Sequence, residues 1–144
     1  MQWVVEAKGE ITQGSIVDGV DWGHGDDNPP LSIVLSNACD FENEKLGFVT
    51  VAALVPAKET LEMTKEYREK VDSAGAEHEL AKKPWDSFCK YLVSFIHNTK
   101  VGRYYFFDPR PTIEAPLLLV DFQQIRSLDL SVIADLDIVG QLGS

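Results

Sequence analysis

Four things are scarce in this chain, and each scarcity removes a class of protein. Cysteine occurs twice, at Cys39 and Cys89, too few for the disulfide framework of a small secreted scaffold. Both read as free thiols of a reducing compartment, with Cys89 a small buried residue inside a helical pattern. Long hydrophobic runs are missing: the longest is the five residues 51–55, against the roughly 20 that a membrane-spanning helix needs. No membrane association is expected. Residues 1–6 offer neither a basic flank nor an apolar stretch of signal-peptide length, so the expected localisation is cytoplasmic. Recognisable site motifs are missing too. There is no Gly-rich phosphate loop, no Gly-x-Ser-x-Gly elbow, no zinc-ligand array and no EF-hand spacing, and no cofactor is expected.

The fourth scarcity is positive charge. Thirteen Lys and Arg face 23 Asp and Glu, for a net charge of −10, and the imbalance is uneven. Residues 1–57 hold nine acids against two bases, residues 58–100 eight of each, and residues 101–144 six acids against three bases. Nucleic-acid binding draws most of its affinity from neutralising phosphates. Duplex DNA is therefore not an expected partner, and an acidic surface points to solubility, a basic protein partner or a divalent cation.

What is present reads as one α+β domain spanning residues 1–144. Residues 1–22 carry one or two strands, bent at Gly9, Gly14 and Gly19. Residues 22–30 form a polar loop ending in Pro29-Pro30. Residues 31–35 are a near-continuous apolar strand that predicts burial on both faces. Residues 47–55 are a second strong strand, stopped by Pro56. A helical insertion follows over about residues 58–98. Its first helix is charged, and its second, 84–98, sets Trp85, Phe88, Cys89, Leu92, Phe95 and Ile96 in a stripe expected to pack on a sheet. In the strand 102–107, Tyr105 and Phe107 fall on one side with Arg103, and Tyr104 and Phe106 on the other. Two further β-type runs, 117–122 and 124–128, precede a tail, 130–142, whose apolar spacing predicts a short helix. The expected architecture is a small, strongly curved antiparallel sheet or SH3-like partial barrel, with a two-helix insertion and a short C-terminal helix.

Several pieces resemble the MazF/PemK family: Gly9-Glu10-Ile11, a loop ending at Pro30, the strand Ile33-Val34-Leu35-Ser36, the strand end Val55-Pro56, and residues 119–128. These cover about half the chain. The resemblance implies a small SH3-like barrel, commonly dimeric, in a family many of whose members are RNA-cleaving toxins. In that family the loop before the central strand brings a basic residue to the scissile phosphate. Here that loop is His24-Gly25-Asp26-Asp27-Asn28, without Arg or Lys, so no catalytic residue carries over. The Ser36-Asn37-Ala38-Cys39-Asp40 corner is similar to one in small bacterial and phage proteins, which implies a bacterial or phage origin, a phage or mobile element among the sources.

Three groups are candidate sites. Cys39, with Asp40 beside it and His24 upstream, has the residue types of a nucleophile and base. Thiolate chemistry needs a cation or a helix N-terminus nearby; Asp40 opposes it, and Lys45 is the nearest base in sequence. His24, Asp26, Asp27 and Asp40 have hard-cation chemistry but no recognised metal-ligand spacing, so no metal is expected. Arg103, Tyr105 and Arg110, with Tyr104 and Arg126, form the basic-aromatic group, which reads as base-stacking or, more simply, as strand core. The leading expectation is an acidic, non-catalytic protein-interaction module that binds another protein or itself through Asp26, Asp27 and the acidic N-terminal surface, or through the barrel's open edge. The alternatives are a MazF/PemK-type endoribonuclease toxin, the one reading with single-stranded RNA as partner, and a Cys- or metal-dependent enzyme at the Cys39/His24 corner.

Overall fold

A computed structural model describes residues 2–7, 9–36, 47–73, 89–94, 97–98 and 102–143. The strands are β1 (Gln2–Val5), β2 (Ser15–Asp18), β3 (Leu31–Val34), β4 (Phe48–Pro56), β5 (Tyr104–Asp108), β6 (Leu118–Asp129) and β7 (Asp137–Leu142). The helices are α1 (Ala57–Glu62), α2 (Lys65–Ser73), α3 (residues 89–94) and α4 (Leu130–Ala134).

All four residues of β3 are buried, as its unbroken apolar run predicts. It lies between β2 and β4, with Ile33 opposite Ile16 on one side and Ala52 on the other. The long β4 shows how one strand serves two layers. Ala52 and Leu54 point into the barrel with Ile16, Leu31, Ile33, Phe107 and Val120. Val49 and Val51 point outward beneath α4, and Val55 outward beneath α1. The strand order β1-β5-β6-β4-β3-β2-β7 closes on itself, because β7 pairs with both β2 and β1. Every pair is antiparallel except β1 with β5.

Three expectations change. The tail is not one helix: it is helical only to Ala134 and then becomes β7. Asp129 caps α4, accepting from the Ser131 N–H at 2.9 Å and its hydroxyl at 2.7 Å, and Ile133 is the one buried side chain of the helix. Beyond it, Gly140 lies so close to β1 that a Cβ there would stand 2.7 Å from Val4 Cγ1. The closing contact therefore needs glycine, a residue that disfavours helix. Because β7 closes the strand order, the open sheet edge expected as a docking surface is absent among the described residues. Finally, the runs 117–122 and 124–128 are one strand with a bulge, where Ala52 pairs with Ile125 but Ala53 pairs with Asp121.

The insertion is more broken than its composition suggests. Thr64 ends α1 and begins α2: its hydroxyl donates to the Leu61 carbonyl at 2.7 Å and accepts from the Tyr67 N–H at 3.3 Å. In α3 the buried residue is Tyr91, whereas Leu92 and Cys89, both expected in the core, are half-buried. Trp85, Phe88, Phe95 and Ile96 lie outside the described residues. Past α3, Asn98 takes φ 55° and its amide clasps Phe106, accepting from its N–H at 2.7 Å and donating to its carbonyl at 3.0 Å. The insertion is thereby tied to β5.

Candidate functional site

The alternation of β5 decides what the outer face carries. Tyr105 and Phe107 join the barrel interior, while Tyr104 and Phe106 face outward with Leu119 and Val55, as the period of two predicts. Over this outer face lie Ala57 and Leu61 of α1 and Tyr67 of α2. The helices have few other apolar residues to set down, and a cleft opens on each side of α1.

One cleft, of about 500 Å³, has an apolar floor of Leu61, Tyr67, Leu92, Phe106 and Leu117, with Lys58, Glu59 and Arg110 among its lining residues. Arg110 is held there by Asp108, whose Oδ1 accepts from Nε at 3.0 Å and whose Oδ2 accepts from Nη2 at 2.9 Å. Arg110 thus holds the Asp108 carboxyl below its ordinary value.

The other cleft, of about 360 Å³, is the more polar of the two: Thr60, Thr64, Arg103, Tyr104, Asp121 and Gln124 line it beside Val55 and Met63. Asp121 sits at the β6 bulge, 2% exposed. It accepts from Arg103 Nε at 3.1 Å and Nη2 at 3.2 Å, from the Gln123 N–H at 3.1 Å and from the Gln124 amide at 2.9 Å. Burial pushes its carboxyl up, and the bonds from Arg103, Gln124 and Gln123 outweigh that, leaving it below the ordinary range. The Arg103 guanidinium also lies 4.9 Å from the centre of the Tyr104 ring. Burial raises the Tyr104 hydroxyl, partly offset by Arg103.

The candidate residues read from sequence are thus dispersed. Arg103 and Tyr104 come together with Asp121, but Tyr105 is turned into the barrel and Arg110 lines the other cleft. Arg126 donates to the Asp21 carbonyl. Each of the three arginines of the basic-aromatic group is engaged with an acidic residue's side chain or backbone. His24, Asp26 and Asp27 are exposed on a single 3₁₀ turn. That loop is held by Asp21, which accepts from the Gly23 N–H at 2.8 Å and the Asn28 amide at 3.1 Å. These bonds, and Arg126 more weakly, lower the Asp21 carboxyl. Among the described residues no group of three His, Cys, Asp or Glu is placed to hold a metal ion, and none of their helices is long and apolar enough to cross a membrane. Cys39 and Asp40 lie outside the described residues.

Sequence reading missed Asp121, Gln124, Thr60 and Thr64. One signal was available: Asp121 is a lone acid following Leu117–Val120, and an acid in a buried strand calls for a partner. Comparison of the chain with protein-family models, with curated proteins and with solved structures finds no match.

Proposed function

We propose that this protein is a non-catalytic interaction module that docks an apolar-anchored segment of another protein in the 500 Å³ cleft between α1 and the barrel. One observation carries the reading: the cleft has an apolar floor of Leu61, Phe106 and Leu117, with charged groups beside it. That division, an apolar anchor site within a polar rim, is what protein-binding surfaces use. Leu117 is 37% exposed at the cleft, so an occupant gains apolar contact beyond the pocket itself. The acidic surface then contributes steering of a basic partner rather than the anchor.

The test is selection of a displayed peptide library on the purified protein. The expected result is enrichment of segments with a large apolar residue, lost in Leu117→Lys, which changes an exposed position. Equal enrichment on both proteins, or none on either, removes the reading. Size-exclusion chromatography separates capture of another chain from self-association.

The second reading is an endoribonuclease of the MazF/PemK kind, and the small barrel is the observation in its favour. Against it stand the acidic loop 24–28 and the engaged arginines. Mixed-sequence RNA left intact, with and without divalent cations, removes it.

A further inference from the structure

We propose that the polar cleft on the other side of α1 is a carboxylate-binding site, with Arg103 as the group that grips the ligand. The proposal is independent of the peptide-docking reading, because it concerns a different cleft and different residues.

A guanidinium has two edges that can each hold a pair of oxygens. Asp121 occupies the side-on edge of Arg103, through Nε and Nη2. Among the described residues, the end-on edge, Nη1 with the second hydrogen of Nη2, has no acceptor. The arginine side chain is 46% exposed while its carboxylate partner is 2% exposed, so the buried carboxylate acts as an anchor behind a partly open donor group. The Tyr104 ring, 4.9 Å away, packs against the guanidinium. The ordering cost of holding a long arginine in one position is thereby met within the protein, which is what makes a preorganised site.

Shape and charge select the ligand. Arg103 and Asp121 are the charged groups among the cleft's lining residues, and they balance each other. A carboxylate matches the planar, two-donor edge of the guanidinium and adds a single negative charge. A phosphate dianion fits that edge less well and meets a stronger repulsion from a chain at −10. Thr60, on α1, brings a hydroxyl to the same cleft.

The experiment is a backbone-amide NMR titration at fixed ionic strength. The probes are acetate, inorganic phosphate, and a blocked peptide with one glutamate. Saturable shifts are expected at Thr60, Tyr104 and Gln124 with acetate or the peptide, and weaker ones with phosphate. The stronger of the two carboxylate probes identifies the source as a free acid or a peptide side chain. Arg103→Lys keeps the ion pair to Asp121 but lacks the fork, and should weaken binding about tenfold. Thr60→Val should weaken it by a smaller factor without touching Asp121. The proposal is overturned if neither carboxylate saturates, if phosphate binds more tightly than both, or if Arg103→Lys binds as the native protein does while its spectrum remains that of a folded chain.

Discussion

Two outer faces of the same barrel are covered by helix, with opposite results. On one, five-residue α4 sets Ile133 against Val17, Val20, Val34, Val49 and Val51, all buried, and Trp22, Leu128, Leu130 and Leu136 close the margins. On the other, α1 and α2 supply 15 residues (6 in α1, 9 in α2), yet their buried side chains among those described are Ala57 and Leu61. Among the described residues, more helix covers less sheet. Apolar residues per turn decide whether a face is sealed, and α2, with Lys65, Glu66, Arg68 and Glu69 all exposed, has almost none to offer. The two clefts are what remains of the unsealed face.

The largest expected effects test that contrast directly. Ile133→Ala should cost about 2–5 kcal/mol, because the cavity is enclosed by packed valines that cannot collapse around it. Leu92→Ala, at a half-buried position on the open cleft, should cost about 1 kcal/mol or less, since water already reaches the side chain. Urea unfolding of both variants checks this. A Leu92→Ala cost equal to that of Ile133→Ala would mean that the insertion face is sealed after all.

Next in size is the ion pair of the unsealed face. Arg103→Ala strips the main partner from a buried carboxylate and should cost about 3 kcal/mol at neutral pH. The pH dependence has a definite sign. In the native protein the Asp121 carboxyl is held below its ordinary value, so it contributes stability above that value and loses it as pH falls through the folded pKa. Without Arg103 only the Gln124 and Gln123 bonds oppose burial, so the carboxyl rises relative to the native protein and protonation costs the variant less. The gap between native and variant should therefore narrow below about pH 4. A gap constant from pH 7 to pH 3 would show that Arg103 acts by packing on Tyr104 rather than through Asp121.

Local pattern made much of the barrel legible, because burial on two faces leaves a mark in sequence: the continuous run of β3, the alternation of β5, the apolar length of β4. It misread β7, because residues 130, 133, 134 and 136 have helical spacing and the switch to strand after Ala134 is imposed by the gap between β1 and β2. It split β6, because Gln123-Gln124 at the bulge interrupts the apolar pattern. The Arg103–Asp121 pair spans 18 residues and the clefts arise where elements fail to meet. Neither has a local signature, so strand parity groups Arg103 with Tyr105 where the fold separates them.

The smallest expected effect lies beside the well-sealed face. Asp137 opens β7 three residues after α4 ends, and the register sets it directly opposite Asp18 of β2, both exposed. Like charges facing each other across an antiparallel pair oppose the pairing that closes the barrel. Asp137→Thr removes the repulsion and adds a residue that favours strand, so it should stabilise by a few tenths of a kcal/mol, up to about 1. The gain should shrink as salt is raised toward about 1 M, where the screening length falls to about 3 Å. A gain that persists unchanged in high salt would assign it to strand propensity alone. A loss would mean that Asp137 makes a contact the face depends on, and that α4 seals its side of the barrel with help from the residue that follows it.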